Sequence, residues 1–381
     1  MKKLAVGVVC LLMVAGVAQP LVAADTIKIG AILSVTGPFT LLGGPEAKTI
    51  QMLVDETNKA GGVLGRKVEL ILKDTQGNAD KAVEFTRQLI EENGVLAIIG
   101  PSSSGESLKV KSVAEENQTI LISCASNQGI VDPVAKWVFK TPQKDADVIT
   151  PLFNTMKSMG ITKIALVASN SGFGQGGMKT VQTMAPDAGL TILGSETYDQ
   201  AATDMTGVLT KLQALKPQGV VNWSVEPAQS IVAKNMKQIG FNVPLFQSHG
   251  FGNIKYVQVA GKAADGIIFP CGRLLEADLL PASNPQKAVL TNYKKGYEST
   301  FNEDVSTFGG HAWDAYEIIM AAIKKANSTD KNKVRDAIEN LTGFVGIAGV
   351  FNFSPTDHCG IGMDTIVMYT VKDGKFVPYA K

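Results

Sequence analysis

Short runs rich in β-branched residues alternate along this chain with longer stretches whose apolar residues recur every three or four positions. The runs at 27–33, 67–73, 96–99, 120–123, 163–168, 191–198, 219–223, 244–247, 266–269 and 364–371 read as strands bounded by turn residues. Among the stretches between them, KTIQMLVDETNKAGG and ADKAVEFTRQLIEENG carry the apolar spacing of amphipathic helices and stop at glycine. This alternation predicts an α/β fold with parallel sheets covered by helices. It pauses twice, around KWVFKTPQKDAD at 136–147 and FPCGRLLEADLLPASNP at 269–285, with about four strand-helix units before the first pause and a set of similar length after it. Two doubly wound, Rossmann-like lobes joined by more than one crossing account for the pattern. Their strand ends then face each other across a cleft, where ligands of open α/β sheets bind.

The first residues stand apart from this alternation. Met1-Lys2-Lys3 precede an apolar stretch from 4 to about 17, and Val22-Ala23-Ala24 precede Asp25, the pattern of a secretory signal peptide (1–24) cut after Ala24. The apolar run is shorter than the roughly 20 residues a membrane-spanning helix needs. A lipoprotein cut at Cys10 fails because Val9 precedes it where a small residue belongs. Cleavage leaves 357 of 381 residues, too many for one ordinary core and suited to two. An exported, periplasmic protein is expected.

Charge and cysteine usage narrow the function. Without Lys2 and Lys3 the chain has 34 basic against 35 acidic residues, a net charge of about −1, and no basic block, which argues against a nucleic-acid partner. Cys124, Cys271 and Cys359 survive cleavage, so at most one intramolecular disulfide forms, with Cys271 and Cys359 the expected pair. The histidines His249, His311 and His358 lack zinc-site spacing apart from the His358-Cys359 neighbours, and neither a metal nor a cofactor is expected.

Two motifs carry candidate chemistry. IIGPSSSGES at 98–107 ends a buried strand on three consecutive serines. It is no nucleophile elbow, because Ser104 stands where G-x-S-x-G needs its second glycine, and no histidine and acid are paired with it in sequence. A turn that leads from a strand into a helix offers free N–H groups, hydroxyls and a positive dipole end to a carboxylate. LISCASNQG at 121–129 repeats the arrangement, so Ser104 and the turn Ala125, Ser126, Asn127 converge on one anion; helix capping is the plainer account of each turn alone. GFGQGG at 172–177 matches the G-x-G-x-x-G dinucleotide fingerprint and follows a strand, which keeps a nucleotide-binding enzyme as an alternative. Ser169, Asn170 and Ser171 nevertheless separate the strand from the first glycine, whereas a pyrophosphate turn needs that glycine at the strand end. A loop allowing close approach, with Phe173 pointing into the cleft, fits better.

GAILSVTGPF at 30–39, NKAGGVLGRKVELILKDTQGNADKAV at 58–83, VLAIIGPSSS at 95–104 and YTVKDGKFV at 369–377 resemble, in order, the leucine/isoleucine/valine-binding family of periplasmic solute receptors. The resemblance implies the type I periplasmic binding protein fold, a hinged trap with no catalytic residues. Its three crossings fall near Pro142, Cys271 and Phe351. Lobe 1 then comprises 25–142 and 272–350, and lobe 2 comprises 143–271 and 351–381. The resemblance also implies that Ser104, helped by Ala125, Ser126 and Asn127, holds a ligand carboxylate. The second lobe closes with residues of SGFGQGG, NWSVEP and QSHGFGN. The expected partners are the permease and ATPase subunits of an ABC importer, with a chemosensory partner as the alternative, and the receptor is expected to act as a monomer.

The departures from the family bear on the ligand. His249 stands where amino-acid-binding members place a glutamate against the ammonium, and Phe173 where they often place tyrosine. A neutral imidazole is a poor partner for a buried ammonium, although Glu226 on a neighbouring strand end is placed to restore the charge. Phe39, Phe173 and Trp223 favour a flat apolar body, and KWVFKTPQKDAD resembles members that bind benzoate-like acids. The expected ligand is a small carboxylate: an aromatic or aliphatic acid, or a branched-chain or related amino acid.

Overall fold

The computed structural model describes residues 26–380, so the leader and its cleavage point lie outside the described residues. The first sheet is built from β1 (Ile27–Leu33), β2 (Val68–Asp74), β3 (Ala97–Ile99), β4 (Ile120–Ser123) and β5 (Val138–Lys140) in the order β2-β1-β3-β4-β5. All its pairings are parallel. β3 and β4 are buried along their whole length, and β1 nearly so, as inner strands of a parallel sheet covered on both faces must be. Helices α1 (Thr40–Lys59) and α2 (Ala79–Glu91) follow β1 and β2, and α3 (Ser104–Glu116) follows β3. Asn78 caps α2 by accepting from the Asp80 and Lys81 N–H groups, which sets where that helix starts.

The chain then crosses to a second sheet, through α4 (Asp145–Ser158), β6 (Lys163–Ser169), α5 (Gly172–Met184), β7 (Thr191–Tyr198), α6 (Thr206–Ala214), β8 (Gly219–Trp223), α7 (Ala228–Gln238), β9 (Leu245–Gln247), α8 (Ile254–Ala260) and β10 (Ile268–Cys271). It returns to the first lobe in α9 (Lys287–Phe301), α10 (Thr307–Ala326), α11 (Lys331–Glu339) and the small hairpin β11 (Phe344–Val345) and β12 (Val350–Phe351). It ends in the second lobe with β13 (Val367–Lys372) and β14 (Lys375–Pro378), giving the order β14-β13-β10-β9-β8-β6-β7. β13 and β14 are antiparallel to their neighbours. Asp373 and Gly374, both at positive φ, join them in a two-residue turn of the kind hairpins favour. Two separate cores result, one under each sheet, with a smaller cluster of Met52, Leu274, Leu290, Tyr293, Tyr297 and Ile347 beneath α9.

Three expectations change. The third crossing, expected near Phe351, comes later: Phe351, Phe353, Cys359 and Ile361 all pack in the first core, and the chain joins the second sheet only at Val367. The expected Cys271–Cys359 disulfide is absent, and Cys124, Cys271 and Cys359 are buried free thiols. Cys271 sits in the second core and directs its Sγ to the His249 carbonyl, whereas Cys359 sits in the first and directs its Sγ to the Pro142 carbonyl. Third, GFGQGG is not a loop but the opening turns of α5, with Ser171 as its cap. Among the described residues no helix is long and apolar enough to cross a membrane, and no group of metal-ligating side chains is assembled.

Candidate functional site

The three serines after β3 have three different fates. Ser102 accepts from the Ser34 N–H and donates to Glu46. Ser103 is the N-cap of α3: its Oγ accepts from the Glu106 N–H at 3.3 Å while its N–H donates to the Glu106 carboxylate at 3.2 Å, a reciprocal capping box, and its hydroxyl donates to the same carboxylate at 2.5 Å. Both hydroxyls are thereby committed to the first lobe. Ser104, the first residue of α3, only accepts, from the Asn127 N–H at 3.3 Å, and its O–H remains to donate into the cleft. The neighbouring turn sorts in the same way. The Ala125 N–H is engaged by Ser123 Oγ and the Asn127 N–H by Ser104, while the Ser126 N–H has no partner among the described residues.

Glu46 lies behind this corner, bonded to Ser102, which makes its charge state important. Burial pushes its carboxyl up to about 8, so at neutral pH it is protonated and does not repel an anion. The Glu106 carboxylate is held by Ser34 Oγ, Ser103 Oγ and the Ser103 N–H.

The lobes meet directly across the cleft. Asn127 Nδ2 donates to the Gly172 carbonyl at 3.0 Å, His249 Nε2 and Ser126 Oγ share a hydrogen bond at 2.8 Å, and Asn253 Nδ2 donates to the Leu41 carbonyl at 3.2 Å. The glycines of α5 permit this approach. A Cβ on Gly172 would lie 2.8 Å from Gly105 Cα, one on Gly176 would lie 2.1 Å from Asn127 Nδ2, and one on Gly177 would collide with the Trp223 indole. Protein atoms thus occupy the space that a dinucleotide fingerprint keeps open for phosphate.

Between the lobes lies a cavity of about 30 Å³. Ser104, Ala125, Ser126, Phe173 and His249 line it, which brings together five of the nine residues singled out in the sequence. Asn127, Phe39, Trp223 and Glu226 do not line it. Asn127 spans the lobes instead. Phe39 packs over Gly77 and joins the second core, and Trp223 is fully buried behind Phe173 and His249, with ring centroids 6.0 and 5.9 Å away. The Glu226 carboxylate turns back into its own lobe, accepting from Ser224 Oγ at 2.6 Å and the Val225 N–H at 3.1 Å.

Sequence reasoning missed Leu42, Thr307, Phe308 and His311; Ser102, Ser103, Cys124, Val225 and Gly250, all from segments it had singled out, complete the wall. Thr307, Phe308 and His311 come from the start of α10, far along the chain from the serine turns, and the lone signal for them was a histidine inside TFGGHAWD. Burial together with the Lys140 charge pushes the His249 and His311 imidazoles down to about 3, so both are neutral at physiological pH. Lys140 is itself fully buried at the end of β5, donating to the Ser126 and Gln143 carbonyls beside Asp145 at the first crossing.

Known proteins share this architecture. A sequence model of the periplasmic binding protein family matches residues 26–375. The chain is 26% identical over 342 residues to the leucine-, isoleucine-, valine-, threonine-, and alanine-binding protein of Pseudomonas aeruginosa, covering 87% of this chain and 88% of that one. Among solved structures, an extracellular ligand-binding receptor from Rhodopseudomonas palustris HaA2 superposes with a TM-score of 0.88 at 26% identity, over 93% of this chain and all of that one. A branched-chain amino acid transporter substrate binding protein from Streptococcus pneumoniae, in complex with isoleucine, shares the fold at a TM-score of 0.81 and 24% identity, covering 92% of this chain and 98% of that one. The chain therefore belongs to the periplasmic binding protein family, whose fold and sequence model mark an extracytoplasmic solute-binding receptor rather than an enzyme.

Proposed function

We propose that the receptor binds a small carboxylic acid that lacks an ammonium group, and that the ligand seats when the lobes close. The observation that carries this reading is the lining of the cavity: it offers the free Ser104 hydroxyl and the Ser126 N–H to an anion, and it contains no aspartate or glutamate to meet a cation. The carboxylate lies at the start of α3, where hydroxyl, N–H and helix dipole all favour negative charge. Leu42, Phe173, Val225 and Phe308 take the apolar body. The cavity is far smaller than the roughly 150 Å³ in which benzene is held, so entry requires the lobes to separate about their three crossings.

A second reading, an amino-acid ligand, draws on Glu226. Its Oε1 is buried without a partner, and a turn of that side chain toward the cleft would supply the missing counter-charge. The Pseudomonas aeruginosa relative carries an amino-acid-binding name, and a structurally similar receptor from Rhodopseudomonas palustris BisB5, at 18% identity, holds 3,4-dihydroxy benzoic acid. Thermal melting against leucine, isoleucine, valine, benzoate, 4-hydroxybenzoate, phenylpyruvate and plain aliphatic acids separates the two. A ligand at about 100 times its Kd adds about 2.7 kcal/mol. Stabilisation by amino acids alone would overturn the leading reading.

A further inference from the structure

The hinge side of the cleft holds a second compartment of about 10 Å³, enclosed by Gln143, Cys271, Gly272, Leu274, Ile347 and Ala348. His249, Thr307 and His311 line both this compartment and the main cavity, and so form the passage between them. Most polar groups around the passage are already engaged. Gln143 Nε2 donates to the Ala348 carbonyl and Thr365 Oγ1, Thr307 Oγ1 donates to the Gly252 carbonyl, and Cys271 Sγ faces the His249 carbonyl. The imidazoles are the exception. His249 is 6% exposed and His311 is 7% exposed, and Nδ1 of each is buried with no hydrogen-bond partner. Two unmet nitrogens on one passage are unusual, because buried polar atoms are otherwise paired.

We propose that this passage is a second subsite, which reads an uncharged oxygen, a hydroxyl or a carbonyl, at the end of the ligand remote from its carboxylate and lets the tail extend toward the hinge. The proposal rests on the carboxylate reading above. A neutral imidazole presents one donor and one acceptor nitrogen. Two of them match a hydroxyl, which gives one hydrogen bond and takes another, or a carbonyl, which accepts. Charge argues against the alternatives. Lys140, whose field both imidazoles feel, is occupied by the Ser126 and Gln143 carbonyls and lies beside Asp145, so it leaves no free cation for a second carboxylate. No acid lines either compartment, so a remote ammonium is equally unmatched.

The test is calorimetric titration of the mature protein with two pairs of acids: benzoate with 4-hydroxybenzoate, and pentanoate with 4-oxopentanoate. The oxygen-bearing member of at least one pair should bind about tenfold more tightly, one good hydrogen bond's worth. His311→Leu should bring that ratio close to one, as should His311→Phe, which keeps a ring of similar size and removes both nitrogens. Ser104→Ala should weaken both members of a pair alike. Equal wild-type affinities in both pairs, or a preference that survives His311→Leu or His311→Phe, would overturn the subsite, while a uniform loss in Ser104→Ala would still uphold the carboxylate reading. Failure of all four acids to bind at millimolar concentration would overturn both.

Discussion

The side-chain amide of Asn127, in the first lobe, donates to the backbone carbonyl of Gly172, in the second, at 3.0 Å. That bond joins the lobes where Gly172 lies against Gly105 with no room for a side chain. The approach of the two lobes therefore depends on a backbone contact between two glycines, each at the start of a helix.

Gly172→Ala should hold the lobes apart, because its Cβ would press on Gly105 Cα and N, backbone atoms that cannot swing aside. The expected result is a larger radius of gyration in small-angle scattering with saturating ligand, and at least tenfold weaker binding. Asn127→Ala removes only the hydrogen bond, and a loss of about 1 kcal/mol in binding is expected by titration.

Ser103→Ala and Ser104→Ala should separate stability from binding. The first breaks the capping box of α3 and should lower stability by about 1 kcal/mol in chemical denaturation. The second removes the free hydroxyl and should weaken binding of a carboxylate by roughly 1 to 3 kcal/mol. The reverse pattern would show that Ser104 is the structural serine.

The buried carboxyl of Glu46 should impose an alkaline limit on stability. Its pKa is raised in the fold to about 8 from 4.5, so the folded protein keeps a proton that the unfolded chain releases. The stabilising difference is fully present below 4.5 and is lost as pH rises through 8. Glu46→Gln has no proton to lose, and its Tm relative to the wild type should improve steadily between pH 5 and pH 9.

At the acid end the sign is opposite. The His249 and His311 pKa values are depressed to about 3 from 6.5, so they favour the fold above 6.5 and withdraw that contribution as pH falls toward 3. His311→Phe should flatten part of the decline in Tm between pH 6.5 and pH 4.

His249→Glu should place a carboxylate in a lining that has none. The expected outcome is a shift in preference toward leucine over 4-methylpentanoate of about tenfold or more, measured by competitive titration, since a buried ammonium strongly favours a counter-charge. Near-UV circular dichroism checks that the variant retains its packing.

Four strands bounded by turn residues were legible: β1, β4, β7 and β8 have the bounds their sequence pattern predicts. β5 was not, because it lies inside the stretch at 136–147 where the alternation pauses and it ends on Lys140, a side chain that burial normally excludes. β14 does not stand out either, although the Asp373-Gly374 pair is a hairpin signal, because its four residues at the sheet edge are part exposed and carry no apolar run. At the site, the two turns at 102–104 and 125–127 were visible because strand-to-helix turns follow from local composition. His311 and the hinge-side compartment were not, because they arise where α10 meets the crossings.

The chain's own pattern determined the alternation of strand and helix, the two lobes, the serine-bearing turns after β3 and β4 and the caps that begin α2 and α3, all matters of a few consecutive residues. Tertiary structure alone decided which serine stays free, since Ser102 is claimed by Glu46 from 56 positions away while Ser104 meets only Asn127, 23 positions on. It also decided that Glu226 faces inward and that His249 reaches Ser126 across 123 positions. Backbone conformation answers to neighbours along the chain. Whether a polar atom has a hydrogen to spare depends on every group the fold brings within bonding distance, and no local pattern encodes that.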